Sequence, residues 1–203
     1  MNNLAKIIFC FILFLLIFSC EKSKVSDLKS EEEITILIQP FEDVKPKQLT
    51  EISENIRKIY PKIKILKPIK FPQNTYYEPR NRYRADSIIK FLNSETVQNC
   101  VTIGLTNKDI SATKGKIADF GIMGLGYRPG NACVASSFRL NPKNKNEQFY
   151  KIAIHELGHT QGLKHCPDKT CFMRDAEGKN PTNEEKDFCN HCKKILKQKG
   201  WRI

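Results

Sequence analysis

Residues 155–165 read H-E-L-G-H-T-Q-G-L-K-H and contain three of the four histidines of the chain. On a helix, His155 and His159 lie one turn apart on the same face, where their imidazoles can bind one metal ion. Gly162 can adopt the left-handed conformation that ends a helix, which lets the chain turn back and bring His165 towards the same ion. Three histidine ligands leave the fourth position of a tetrahedral zinc open to water. The stretch therefore predicts a zinc site of the catalytic type.

Glu156 follows the first histidine and is not itself a ligand in this arrangement. On a helical H-E-x-x-H sequence, the glutamate serves as the general base for water that is bound to the zinc. A bare H-E-x-x-H arises by chance in long sequences, whereas the third histidine and the glycine at the turn reproduce the longer zinc motif. We therefore predict that Glu156 deprotonates the zinc-bound water and so makes it a nucleophile near neutral pH.

Four cysteines and a methionine follow the histidines. Cys166 and Cys171 precede Met173 in C-F-M, and Cys189 and Cys192 form the C-N-H-C pair. The pattern H-E-x-x-H-x-x-G-x-x-H-C-x-x-x-x-C-x-M, followed by C-x-x-C, resembles the archaemetzincin family of zinc metalloproteases. The resemblance implies an α/β (α+β) class and a metzincin-like zincin fold. It would have a mixed twisted sheet, an active-site helix, and a C-terminal zinc-bound cysteine segment followed by a helix.

The same resemblance implies a catalytic zinc, a general base, a Met-turn beneath the site, and a structural zinc held by cysteines. In this sequence the catalytic zinc would be held by His155, His159 and His165, with Glu156 as the general base and Met173 as the Met-turn. The structural zinc would be held by Cys166, Cys171, Cys189 and Cys192. The resemblance thus implies two zinc ions per chain and a peptide or protein substrate. It leaves endopeptidase and aminopeptidase action both open.

Spacing alone gives the cysteines a second interpretation. Two close pairs joined by a loop are typical of a zinc site, but exported proteins also pair cysteines as disulfides, and it is the resemblance that favours zinc. Neighbouring residues do not easily bind one ion, so Cys166 on a second zinc would hold His165 in place. His191 is disfavoured as a substitute ligand because the C-x-x-C pair already supplies two. Cys100 and Cys133 are left as free thiols or as one disulfide.

The amino terminus has the features of an export leader. Lys6 precedes an apolar run over 7–18 that ends in Ser19 and Cys20. This run is too short to span a bilayer comfortably, and a small residue followed by cysteine resembles the lipobox of bacterial lipoproteins, with Cys20 as the lipidated residue. An ordinary secretory signal and an uncleaved anchor are the alternatives.

The lipobox resemblance and the length of the chain that follows it together predict three parts. Residues 1–19 would be a lipoprotein signal peptide, 20–33 a solvated tether, and 34–203 a single zinc metalloprotease domain. The protein would then lie in the bacterial cell envelope and be attached to the membrane through the lipid on Cys20.

Periodicity places the motifs on a β-α-β framework. The predicted strands cover 34–38, 63–69, 100–105, 120–125 and 132–137, and the predicted helices cover 46–60, 82–92, 147–162 and 183–199. Thr182 is the expected N-cap of the last helix, with Glu184 and Glu185 in its first turn. Glycines 121, 124, 126 and 130 favour a close backbone approach, and this region is the candidate for binding an extended substrate at a sheet edge. A glycine-rich surface loop is the alternative.

The chain is strongly basic, with a formal net charge of +12 at pH 7. Basic residues are concentrated between positions 57 and 90, but they form no periodic stripe and no aromatic-interleaved nucleic-acid motif accompanies them. Nucleic acid is therefore not an expected partner. Two further functions remain as alternatives to a peptidase: a catalytically silent zinc-binding envelope lipoprotein, and a basic zinc-knuckle-like binding module.

Overall fold

The computed structural model describes residues 34–203. The predicted signal peptide (1–19), the predicted lipidation site Cys20 and the tether (20–33) lie outside these residues. The division of the chain into leader, tether and one domain therefore stays a prediction. Within the described part of the chain, none of the helices combines the length and the apolar character that crossing a membrane requires.

A five-stranded sheet forms the central layer. In spatial order its strands are β2 (Ile63–Ile65), β1 (Thr35–Pro40), β5 (Cys100–Thr106), β9 (Ala132–Ser136) and β8 (Gly124–Gly126). The first four strands run parallel, and β8 runs antiparallel to β9 at the edge. Strands β5 and β9 are buried along almost their whole length, as expected for parallel strands that are covered on both faces. The predicted α/β (α+β) class with a mixed sheet is confirmed.

A smaller second sheet corrects the prediction of one strand over 120–125. Its order is β3 (Tyr76–Tyr77), β4 (Arg82–Arg84), β6 (Ile110–Lys114) and β7 (Ile117–Ile122). Strand β7 ends at Ile122, and after Met123 the chain enters β8 in the other sheet. The predicted strand is thus two strands, because an apolar run does not reveal that the backbone changes sheets within it.

Residues 34–203 contain four α-helices. They are α1 (Pro46–Ile59), α2 (Ala85–Glu95), α3 (Lys145–Thr160) and α4 (Asn190–Gln198). Alternate residues of β9 join different cores: Cys133 packs in the cluster that contains Phe149 of α3, and Val134 packs in the cluster that contains Leu92 of α2. Helices α2 and α3 therefore lie on opposite faces of the sheet.

Two helix starts differ from the predictions. Residues 82–84 form β4, because Arg82 is drawn into ion pairs with Asp109 (2.7 Å) and Asp119 (2.9 Å). The last helix was predicted over 183–199, but it begins at Asn190. Tertiary contacts have overridden local helix propensity at both positions.

Buried Lys151 of α3 explains the path of the chain before the last helix. Its ammonium group donates to the carbonyl oxygens of Thr182 (2.9 Å) and Glu185 (2.8 Å) and pairs with Glu147 (2.8 Å). Thr182 is therefore not an N-cap, and Glu185 is buried instead of lying in a solvated first turn. The residues around Thr182 and Glu185 are tied to α3 one helical turn before His155.

Cys100 and Cys133 are free thiols. Cys100 pairs with Thr35 in the ladder, and Cys133 pairs with Ile103. The two cysteines are therefore offset by three positions, which is about 10 Å along a strand. A disulfide needs a Cα separation below about 7 Å, so this register excludes the bond that the sequence had left open.

Candidate active site

Helix α3 and the turn after it bring the three histidines together. The helix ends at Thr160, and Gly162 has the left-handed φ of +94° that the sequence predicted for this position. The amide of Leu163 donates back to the Gly158 carbonyl (3.1 Å), which closes the helix end. His165 returns to the face that carries the other two histidines, and one ring nitrogen of each of the three lies within 4.8 Å of the others.

The hydrogen bonds of the rings determine which nitrogens are free. Nδ1 of His155 lies 2.6 Å from the Phe172 carbonyl oxygen, and Nδ1 of His159 lies 2.8 Å from the Leu163 carbonyl oxygen. A carbonyl oxygen only accepts, so in both rings the proton is on Nδ1 and Nε2 has the lone pair. Nδ1 of His165 faces Asp175 (3.2 Å), which favours the same tautomer.

Burial keeps the imidazoles of His155 and His159 neutral. It lowers the pKa of His155 to about 3, with the nearby His159 contributing in the same direction, and it also lowers the pKa of His159. Neutral imidazole is the form that binds metals. The site therefore presents unprotonated ring nitrogens near neutral pH.

The spacing of these nitrogens fits zinc. Nε2 of His159 lies 3.3 Å from Nε2 of His165. Zinc–nitrogen bonds of about 2.0–2.1 Å give an edge of about 3.3–3.4 Å between two ligand atoms of a tetrahedron. Lone pairs directed at one another over this distance repel unless a cation lies between them. The donor set and its spacing thus suit a zinc ion.

Glu156 lies between α3 and the edge strand β8. Its side chain is buried, with 6% of the residue exposed, and burial raises the pKa of its carboxyl to about 8. A Cβ atom at Gly124 would lie 2.3 Å from Oε1 of Glu156, and a Cβ atom at Gly126 would lie 2.8 Å from its carbonyl oxygen. The close backbone approach predicted for these glycines is present, and only glycine leaves room for the carboxylate at position 124.

Met173 lies beneath the active helix. It is fully buried, and a Cβ atom at Gly158, between the two helical histidines, would lie only 2.5 Å from its sulfur. Its carbonyl oxygen accepts a hydrogen bond from the amide of Cys166 (2.8 Å). The side chain of Met173 thus packs directly against the helix that carries His155 and His159, and the assignment of a Met-turn stays a prediction.

The four cysteine sulfurs form a second cluster. Sγ of Cys166 lies 3.6 Å from that of Cys189, and Sγ of Cys171 lies 3.8 Å from that of Cys192. These distances are far longer than a disulfide bond of about 2.05 Å. They match the edge of about 3.8 Å in a tetrahedron with zinc–sulfur bonds of about 2.3 Å. His191 is exposed and does not belong to the cluster.

The surroundings of Cys171 suit a thiolate that a cation stabilises. The backbone amides of Met173 (3.5 Å) and Cys189 (3.3 Å) point at its sulfur. Burial nevertheless raises the pKa of the Cys171 thiol to about 11, so the thiol keeps its proton unless a metal displaces it. This donor set also fits zinc.

A cavity of about 380 Å³ opens beside the histidines. His155, Glu156 and His165 line it together with Ile152 and the buried Glu185. Sequence reasoning missed Glu185 as a wall residue because its burial depends on the Lys151 contacts. It also missed the Phe172 carbonyl, because a backbone acceptor leaves no trace in side-chain patterns.

The chain is similar to known proteins over most of its length. Residues 31–198 match the profile of Peptidase family M54. An archaemetzincin from Methanopyrus kandleri is 29% identical over 155 residues, which cover 71% of this chain and 83% of the relative. An archaemetzincin from Archaeoglobus fulgidus is 36% identical over 121 residues, which cover 58% of this chain and 70% of the relative.

Solved structures show the same similarity. The crystal structure of Archaeoglobus fulgidus archaemetzincin complexed with malonate has a TM-score of 0.69 and 27% identity, covering 80% of this chain and 99% of its own. The crystal structure of Methanopyrus kandleri archaemetzincin has a TM-score of 0.70 and 25% identity, covering 85% and 97% of the two chains. The predicted metzincin-like fold is thereby confirmed.

We expect Gly124→Ala to destabilise the protein by about 1–3 kcal/mol, because the added methyl group overlaps the Glu156 carboxylate. In a Glu156→Ala background the overlap with the carboxylate is absent, and the same change should cost less, with a coupling of at least about 1 kcal/mol. Chemical denaturation of the four proteins measures this cycle. Glu147→Ala, an exposed carboxylate on the same helix, is the control background and should leave the cost unchanged. Equal costs in all backgrounds would disprove the contact.

Proposed function

Because the chain belongs to Peptidase family M54 and is therefore a zinc metallopeptidase, we propose that His155, His159 and His165 hold its catalytic zinc. The observation that carries this assignment is the convergence of three imidazoles beside a buried carboxylate on the wall of an open cavity. When bound, zinc lowers the pKa of a water molecule and polarises the carbonyl group of the scissile bond.

We assign the proton transfers to Glu156. Its carboxylate lies next to the first histidine and also lines the cavity, so it can reach both an attacking water and the leaving group. A zinc ion on the neighbouring histidines would favour the ionised form of this carboxyl group in spite of its burial. The carboxylate would accept the proton of the water as the nucleophile adds to the peptide carbonyl, and would then deliver that proton to the departing amine. Gly124 permits this position of the carboxylate, because a side chain at residue 124 would overlap with it.

Strand β8 is the proposed support for the substrate backbone. Within residues 34–203 it is one of the two edge strands of the central sheet, pairs only with β9, and packs against α3. An extended peptide can add to such an edge through main-chain hydrogen bonds. This placement would carry the scissile bond past Glu156, which lies against Gly124 and Gly126 of the strand.

The four-cysteine cluster is the proposed structural zinc site, which gives two ions per chain. Cys166 adjoins His165, and Cys171 adjoins Phe172, whose carbonyl oxygen faces His155. A zinc ion on the cysteines would therefore fix the position of His165 and that of the Phe172 carbonyl group, which orients His155. Support of this kind is commonly worth about 10–100-fold in metal affinity.

The alternatives from the sequence have less support. A catalytically silent zinc protein has no need of a carboxylate such as Glu156 at the cavity wall. A zinc-knuckle-like module that binds a polyanion needs an accessible cysteine cluster, but Cys171 and Cys192 are 1% and 2% exposed. The cysteine cluster instead adjoins His165 and Phe172, whose carbonyl oxygen faces His155.

We further propose that the protein is attached to the bacterial cell envelope through lipid on Cys20. The support for this is the apolar run over 7–18 followed by Ser19 and Cys20. Cys20→Ala should move the full-length protein from the membrane fraction to the soluble fraction and abolish labelling by a fatty-acid analogue. Cys10→Ala, within the leader, is the matched control and should change neither result. Unchanged labelling of the Cys20 variant would refute the anchor.

Glu156→Ala should lower kcat for peptide hydrolysis by about 10²–10⁴-fold, because general acid–base catalysis contributes that much. Its zinc content should match that of the parent, since the carboxylate is not a ligand in this assignment. Turnover is measured on a quenched peptide library with and without chelator, and zinc is measured by elemental analysis. Glu147→Ala is the control and should keep parental turnover. Cleavage by the Glu156 variant at the parental rate would exclude this residue as the base.

The full-length protein, purified under reducing conditions, should contain two zinc ions. His155→Ala should lose the catalytic ion and keep the thiolate site. Cys166→Ser should weaken both sites, the catalytic one by roughly 10–100-fold, because it removes a support of His165. A competitive zinc titration with thiol accessibility read in parallel measures both sites.

Two results of this titration would contradict the assignment. One zinc per chain, with the four cysteines oxidised in pairs, would rule out the structural site. Loss of one ion from the Cys166 variant with unchanged affinity of the other would show that the sites are independent.

A further inference from the structure

Glu185 is a buried carboxyl group that the proposed mechanism does not use. Only 4% of the residue is exposed, and it lines the same cavity as His155 and Glu156. Among residues 34–203, its side chain has neither a hydrogen-bond partner nor an ion-pair partner. Burying a carboxyl group without a partner is costly. The carboxyl oxygens of Glu185 are not fully enclosed, so they open onto the cavity, where a ligand can supply the missing partner.

The cations nearest to Glu185 are engaged elsewhere. The ammonium group of Lys151 donates to two carbonyl oxygens and pairs with Glu147, and Arg174 pairs with Glu184 (2.6 Å). Burial raises the pKa of Glu185 to about 7, although Lys151 and Arg174 act in the opposite direction. The carboxyl group therefore lacks a cation close enough to compensate for its burial.

The other cationic side chains that line the cavity are paired elsewhere or exposed to solvent. Arg139 is paired with Asp109 (2.8 Å), and Lys114 lies over the ring of Phe120 at 4.8 Å. Lys179 is exposed, where water and salt screen its charge. A positively charged ligand at Glu185 would therefore meet little uncompensated repulsion inside the cavity.

Glu185 lines the same cavity as His155 and His165, so a ligand in this cavity can contact both Glu185 and the histidines. Its backbone is tied to Lys151, which precedes His155 by one helical turn, or about 6 Å along the axis. Ile152 provides an apolar wall of the cavity. A cavity with an apolar wall and a buried carboxyl group suits a ligand with an apolar stem and a cationic end.

We propose that Glu185 determines specificity by binding a cationic group of the peptide substrate, either a lysine or arginine side chain or the free α-amino group. This inference rests on the proposed function of the histidine cluster. A cation would form a charge-assisted hydrogen bond with the carboxylate in a site sheltered from water. A neutral substrate leaves the carboxylate without a partner and is rejected for that reason.

The test uses the full-length zinc-loaded enzyme and matched peptides. The residues that flank the scissile bond are varied one at a time between lysine and norleucine, which has an apolar stem and no charge. Each peptide is made with a free and with an acetylated amino terminus. We expect kcat/KM to favour the peptide with the required cation by roughly 10–100-fold, as for hydrogen bonds to charged groups, and mainly through KM.

Glu185→Gln keeps the volume of the side chain and removes its charge. The preference for the cation should fall to near one in this variant, while hydrolysis of the neutral peptides persists. Glu177→Gln, which removes a charge from an exposed side chain on the wall of the same cavity and leaves the Arg174–Glu184 pair intact, should keep the parental preference. Circular dichroism and a thermal melt check the fold of both variants.

The peptide set distinguishes the two possible sources of the cation. Preference for lysine in acetylated peptides assigns the side chain, and a requirement for a free amino terminus in norleucine peptides assigns the α-amino group. Equal cleavage of all four peptide types by the parent overturns the proposal, whether or not Glu185→Gln folds. A preference that survives in Glu185→Gln also overturns it.

Failure of the proposed function gives a different result. The parent would then cleave none of the peptides, or would cleave them no faster than the Glu156→Ala variant does. In that case, calorimetric binding of the same peptides to the zinc-loaded protein decides the role of Glu185. Binding that needs both the cation and Glu185 supports the proposal, and equal binding of charged and neutral peptides refutes it.

Discussion

The hydrogen bond between Nδ1 of His155 and the Phe172 carbonyl oxygen, 2.6 Å long, is the contact on which the arrangement of the site depends. It fixes the tautomer of the first histidine and ties α3 to the segment that follows the third histidine. The residues on either side of Phe172 extend this connection: Cys171 enters the sulfur cluster, and Met173 packs against Gly158. Three consecutive residues thus join the helix, the sulfur cluster and the floor of the site.

A second constraint is steric, and it acts between α3 and the edge strand β8. Because Gly124 and Gly126 lack Cβ atoms, the strand can lie directly on Glu156. This packing buries the carboxylate on one side and leaves it facing the cavity on the other. The same strand ends the sheet, so one short element both encloses the carboxylate and presents an unpaired edge beside it.

The chain between Met173 and Cys189 shows how tertiary contacts decide a local structure. The sequence predicted that a helix starts near Thr182, on the basis of a capping residue and acidic neighbours. In the structure the ammonium group of Lys151 captures the carbonyl oxygens of Thr182 and Glu185, and the helix starts only after Cys189. Two hydrogen bonds to a buried cation outweigh one N-cap, since capping is commonly worth only about 1 kcal/mol.

The sequence by itself determined which histidines converge, because His155, His159 and Gly162 act through spacing along one helix and its end. Short-range geometry of this kind does not depend on the rest of the fold. Only the tertiary structure decided what surrounds these histidines. It placed Gly124 against the carboxylate of Glu156 and buried Glu185 in the same cavity. These contacts join residues far apart in sequence, and their partners are chosen by packing and by buried hydrogen bonds, which periodicity does not encode.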